Sequence, residues 1–137
     1  MVYRADWKTP RKLYRTLDRV FHFDFDPCPV NPQFDGLKID WKKSNYVNPP
    51  YNEISKWVKK SFEESQKGKI AVMLIPSRTD TRYWHNYVMK AKELWFVKGR
   101  LRFDDKKQPA PFPSVIVIFK NQEVNTAPQI KSFTQPI

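Results

Sequence analysis

The chain has 137 residues, with 25 Lys plus Arg against 14 Asp plus Glu and a formal net charge of +11. At 40% hydrophobic and 15% aromatic residues it can bury one core, which excludes a disordered tail, and it is too short for two. One cysteine excludes an internal disulfide or a multi-cysteine zinc site, two histidines exclude a His-rich metal centre, and three widely separated glycines exclude a phosphate-cradling loop.

Thr9-Pro10 reads as a helix start, a hydroxyl followed by proline at the first helical position, and Leu13, Leu17 and Val20 recur at helical spacing up to Phe21. From Phe21 to Asp26 apolar and polar residues alternate until Pro27 stops the run, which predicts a strand ending in acid. Cys28 to Lys43, with two more prolines and Asp35-Gly36, reads as loop. Tyr46-Val47 is a strand end running into Asn48-Pro49-Pro50-Tyr51. Ile54, Trp57, Val58 and Phe62 then mark one face of a helix that Gly68 closes. Ile70 to Ile75 is a continuous apolar strand ended by Pro76. A third helix starts at Thr79 or Asp80 and carries Trp84, Val88 and Ala91. Leu94–Val97 and Val115–Phe119 are the remaining strands, joined by a proline-containing loop from Gly99 to Ser114.

This alternation predicts one α/β domain over residues 1–137, a three-layer sandwich with a largely parallel central sheet. Residues 121–137 are expected to form a peripheral, polar C-terminal extension. Ligands of such sheets gather beyond the C-terminal strand edges, and Asp26, Asn48 and Arg78 each follow a predicted strand end. No apolar run is long enough to cross a bilayer, the first twenty residues carry no secretory-leader pattern, and the lone cysteine fits a reducing cytosol. The basic residues fall in patches interleaved with aromatics: Arg4 to Arg19; Lys38, Lys42 and Lys43; Lys56, Lys59 and Lys60; Lys98, Arg100 and Arg102. Any one patch could be a solvated surface; their sum favours a nucleic acid partner over a membrane.

The turn Asn48-Pro49-Pro50-Tyr51 has a specific chemical use. An exocyclic amine on a purine is a poor nucleophile because its lone pair is delocalised. The Asn48 side-chain oxygen and the Pro49 carbonyl can each accept one of its N–H groups, drawing the nitrogen toward tetrahedral geometry and its lone pair toward an electrophile. Two prolines stiffen the turn, and Tyr51 can stack on a base flipped from its helix. This reading requires an open hollow in front of Asn48 and Tyr51. No metal is needed.

The turn matches the catalytic motif of S-adenosylmethionine-dependent amino-methyltransferases. The wider order of motifs resembles the small phage-type DNA N6-adenine methyltransferases: Trp7-Lys8-Thr9-Pro10, Asp24-Phe25-Asp26-Pro27-Cys28, Asp40-Trp41, the Asn-Pro-Pro-Tyr turn, Leu74 to Thr81, Gly99 to Phe103 and Phe112-Pro113-Ser114. The resemblance implies a minimal version of the S-adenosylmethionine-dependent methyltransferase fold, methylation of adenine N6 in DNA and, for a phage-encoded chain, a cytoplasmic location in a bacterial host. It also implies site roles. Thr9 and Pro10 would clasp the methionine end of the cofactor. Asp24 and Asp26 would face its ammonium group, with Asp26 before Pro27 the better match. Trp7 would pack against the cofactor or sit in the core. Asp40 would lie near the cofactor's adenine. Arg78, Arg100 and Arg102 would contact nucleic acid, with Arg100 and Arg102 otherwise on a solvated strand edge.

The sequence also departs from the wider superfamily. Pro29, Val30, Asn31 and Pro32 stand where glycines usually follow the first acidic strand. The interval from Pro27 to Tyr46 is too short for two further strands with their helices, so a trimmed sheet and a shallow cofactor site are expected. Two alternatives remain: the same turn acting on RNA or a glutamine amide, and a nucleic-acid-binding protein without catalysis. Oligomeric state is not readable from sequence.

Overall fold

The computed structural model describes residues 8–103 and 108–136; Trp7 lies outside them. Helix α1, Arg11–Phe21, follows Pro10, whose carbonyl accepts the Tyr14 N–H at 3.0 Å. It ends where His22 turns left-handed (φ 51°) and donates to the Asp18 carbonyl. Leu13, Leu17 and Phe21, the spacing read from sequence, are buried; Val20 is exposed.

The strand expected up to Asp26 shrinks to a single parallel bridge, Phe25 to Asn45. Two residues explain this. Asp24 takes the Ser44 N–H with its side chain at 3.0 Å, and Pro27 has no N–H to extend the ladder. Residues 27–43 hold no helix or strand.

Five strands follow: β1 (Ser44–Val47), β2 (Ile70–Pro76), β3 (Glu93–Val97), β4 (Ser114–Phe119) and β5 (Gln129–Phe133). Their order is β1-β2-β4-β3-β5. β1–β2 and β3–β5 pair in parallel, whereas β4 is antiparallel to both β2 and β3. The sheet is therefore mixed, a correction to the largely parallel one expected. A parallel link between consecutive strands needs a crossover, usually a helix, and the described part of the 98–113 connection contains none, so β3 and β4 pair antiparallel. The C-terminal ends of β1, β2 and β3 still share one edge.

Helix α2, Ile54–Gln66, runs from the turn after β1, and Gly68 closes it with φ 91° and its N–H on the Ser65 carbonyl. Helix α3 is only Arg82–Asn86. Its cap is Thr81, which accepts the Trp84 N–H at 3.3 Å, so neither Thr79 nor Asp80 starts the helix. Trp84, Val88 and Ala91 are all buried, but only Trp84 lies in α3; Val88 and Ala91 come after its end, a correction to the longer helix expected to carry them.

One face of the sheet (Ala71, Met73, Ile75, Val115, Val117) packs on Ile54, Trp57 and Val58 of α2 and on Trp84 of α3. The other (Val72, Leu74, Ile116, Ile118) packs on Leu13, Leu17 and Phe21 of α1 and on Leu101, Phe103 and Phe112. Alternate residues of β2 and β4 thus serve both cores, which is why their sequences are continuously apolar. The C-terminal extension contributes β5 at the sheet edge, where Phe133 stacks on Trp95 at 5.8 Å. Among the described residues no helix is long and apolar enough to cross a membrane.

Gly36 shows how the long coil is fixed. A Cβ there would lie 1.8 Å from the Pro27 carbonyl oxygen and 2.9 Å from the Trp57 ring. The position takes glycine because two stretches of backbone meet a tryptophan at this point. The Gly36 carbonyl also accepts the Trp41 indole N–H at 2.7 Å.

Candidate active site

At the shared strand edge Asn48 follows β1 directly, Arg78 follows β2 within two residues, and Arg100 and Arg102 lie beyond β3. The Phe25–Asn45 bridge sets Asp26 beside this edge, with the Tyr46 N–H on the Phe25 carbonyl at 3.1 Å. The turn itself is stiff. Pro50 is extended (φ −65°, ψ 138°), its carbonyl accepts the Glu53 N–H, and Tyr51–Glu53 makes one tight helical turn into α2.

Asn48 is not open: it is 1% exposed. Its Nδ2 donates to the Thr9 hydroxyl at 3.0 Å, and the Thr9 hydroxyl is 2.6 Å from the Tyr46 phenol oxygen. Tyr46 is buried and meets the edge of Tyr14 at 5.1 Å. With Nδ2 on the Thr9 hydroxyl, the acceptor Oδ1 lies at the other end of the amide. The hollow expected in front of the turn is found instead at Tyr51, which is half-buried and packs edge-on against Phe112.

Two clefts flank the turn. One, about 290 Å³, is lined by Lys8, Thr9, Arg11, Tyr14, Arg15, Asp26, Val30 and Tyr46. It sets one carboxylate among three cations. Asp26 Oδ1 accepts the Cys28 N–H at 2.9 Å, which folds the chain sharply after it. Burial, then the charges of Asp18 and Asp26, push the Tyr14 phenol up, so it stays a neutral donor. The other cleft, about 310 Å³, has Tyr51, Asn52, Ser55, Arg78, Thr81 and Tyr83 on its walls. There burial raises the Tyr83 phenol, opposed by its bond to Thr81 and the charge of Arg78. A third hollow, about 300 Å³, lies between Pro27, Cys28, Phe34, Pro50 and Trp57.

The remaining expected residues are scattered. Pro10 caps α1, and Pro27 is buried with its carbonyl against Gly36. Asp24 is spent on the Ser44 N–H. Asp40 is exposed and paired with Lys67 at 3.2 Å, away from the residues lining these three clefts. Arg100 reaches the Ala110 carbonyl at 3.4 Å, and Arg102 is exposed. Sequence reasoning missed Tyr14, Tyr46 and Tyr83. Tyr14 lies one turn after Pro10 in α1, a signal of shared position with Thr9 that the helical pattern contained.

Residues 2–134 match the DNA N-6-adenine-methyltransferase (Dam) family. The chain belongs to that family. A curated relative, the DNA N-6-adenine-methyltransferase of Escherichia phage T1, is 26% identical over 111 residues, covering 72% of this chain and 47% of that protein. The Dam-family chain thus spans about half the length of the curated relative it matches.

Proposed function

We propose that this chain transfers a methyl group from S-adenosylmethionine to the exocyclic N6 of adenine in DNA. The observation that carries the reading is the Asn48 amide, held at Nδ2 by Thr9 at the end of β1 and followed by a diproline turn and a cleft-lining tyrosine. Family membership over residues 2–134 supports it independently. Asn48 Oδ1 and the Pro49 carbonyl each accept a hydrogen bond from one N6 N–H, which localises the nitrogen lone pair for attack, and Tyr51 offers a face for the flipped base. One N6 proton leaves to water after transfer. Because Asn48 is covered, a base reaches it only when its neighbours shift locally, a movement that DNA binding would drive.

The residues present fit the methionine end of the cofactor. Asp26 suits an ammonium, and Lys8, Arg11 and Arg15 on the same cleft suit a carboxylate. When bound, the cofactor would supply an electrophilic methyl carbon on a sulfonium. With α1 on one sheet face and α2 and α3 on the other, we read the fold as a three-layer, trimmed methyltransferase sandwich in one domain.

Incubation with labelled cofactor and unmethylated DNA, RNA or protein tests the activity, with label expected on adenine N6 of DNA. Label in none of them, with DNA still retarded on a gel, would leave a binding protein. Asp26→Ala is expected to weaken cofactor binding about 10- to 100-fold in isothermal titration, the value of one charge-assisted hydrogen bond. DNA affinity should hold. An unchanged cofactor dissociation constant would remove Asp26 from the site.

A further inference from the structure

A separate groove of about 500 Å³ runs between α1 and the segment after β3, with Arg11, Lys12 and Arg15 on one wall and Arg102 on the other. From it we infer that this groove seats backbone phosphates of DNA, beside the cofactor cleft and apart from the base-binding turn. The inference rests on the DNA-methylating reading for the identity of the polyanion.

Three observations carry it. First, the groove gathers three cations without a carboxylate partner; Lys42, Lys43, Lys90, Lys92, Lys98 and Lys120 also lack one among the described residues but do not line it. Lys56, Lys59, Lys60, Lys67, Lys69 and Lys131 each lie within 4.0 Å of a carboxylate, as solubilising lysines do. Among the described residues Lys12, Arg15 and Arg102 have no such partner, and no acid lines the groove. Second, Lys12 and Arg15 are three residues apart on α1, neighbours on the helix surface that repel each other, an arrangement that an anion beside them turns favourable. Third, the far wall is anchored. Arg102 stands exposed between Leu101 and Phe103, each 1% exposed, and the Leu101 carbonyl accepts the Ala110 N–H at 2.7 Å. Gln135 holds the preceding turn through the Lys98 and Arg100 carbonyls. A cation on a fixed backbone loses less freedom when it meets a phosphate.

Arg11 and Arg15 also line the cofactor cleft, so the groove opens toward the reacting centre. A strand crossing it would carry its phosphates past α1 while a base turned toward Tyr51. Inorganic phosphate alone would meet the same cations without the spacing of a polymer.

The test is fluorescence anisotropy with a duplex across a salt series, using the full chain and its Lys12→Ala/Arg102→Ala variant. Both positions are exposed and neither lines the cofactor cleft. DNA affinity should fall about 10- to 100-fold and the salt slope by about two, one for each lost phosphate contact. Cofactor affinity should stay within about twofold, and millimolar inorganic phosphate should compete only weakly. The matched variant Lys56→Ala/Lys59→Ala removes equal charge from α2 and should have a much smaller effect. Equal losses in the two variants, or none in the first, would overturn the inference. Should the wild type methylate adenine while Lys12→Ala/Arg102→Ala binds normally, the groove fails and the enzymatic reading stands. Should the wild type transfer no methyl group while the variant still loses DNA affinity, the groove stands and the enzymatic reading fails.

Discussion

Replacing Asn48 by alanine is expected to slow methyl transfer by about 100- to 1,000-fold, the cost of removing one pre-set hydrogen-bonding group from a reacting centre. The loss should appear in the turnover rate, with DNA and cofactor affinities little changed, because Oδ1 acts on the amine as its nitrogen becomes tetrahedral. Stability should drop by only about 1–2 kcal/mol, from the lost bond between Asn48 and Thr9. A cooperative thermal transition near that of the wild type would separate the two effects. Retained turnover would take Asn48 out of the mechanism. Thr9 provides the complementary experiment. Thr9→Val keeps the shape but removes the hydroxyl between Asn48 and Tyr46, so the amide loses this partner. Turnover should fall about tenfold, following a bond of about 1–1.5 kcal/mol, and Thr9→Ser should restore it. A change confined to the cofactor's KM would assign Thr9 to cofactor binding alone.

The elements with a strong pattern were legible because each helix buries one face in one core, Leu13 and Leu17 in α1 and Trp57 and Val58 in α2, while the apolar run of β2 is buried between both cores. The direction of β4 was not legible, since a strand buried on both faces has the same pattern either way round. β5 escaped notice for the opposite reason. As an edge strand with Ile130 67% exposed, it needs no apolar face and looks like surface. At the site, the Asn48 turn was readable from four adjacent residues. Its tie to Thr9 spans 39 positions and depends on where α1 docks, which no local spacing encodes. Asp40 was placed near the cofactor by its sequence position alone, and its side chain meets Lys67.

The coil from 27 to 43 depends on one carboxylate. Glu64 is fully buried near the end of α2 and accepts bonds from Lys69 at 2.7 Å, Lys67 at 2.9 Å, Lys60 at 3.2 Å and the Trp41 backbone N–H at 3.0 Å. Burial alone would raise its pKa. The bonds from Lys69, Trp41, Lys67 and Lys60 outweigh that and lower it from 4.5 to about 2. Because the folded value lies below the unfolded one, the stabilisation is fully present above about pH 4.5 and is lost as pH falls toward about 2. Glu64→Gln keeps the shape but leaves the ammonium groups without their shared counter-charge. It should cost about 2–4 kcal/mol at pH 7 by urea denaturation, toward the lower end because Lys67 is half exposed. The same substitution should flatten the loss of stability between about pH 4.5 and 2. Trp41 stacks on Trp57 at 6.3 Å, and Trp57 touches the Gly36 position against Pro27, so loosening Glu64 reaches Asp26 through the coil. Glu64→Gln should therefore weaken cofactor binding severalfold although Glu64 touches none of the clefts. An unaltered denaturation midpoint at pH 7 would show that the lysines, and not the carboxylate, position this segment.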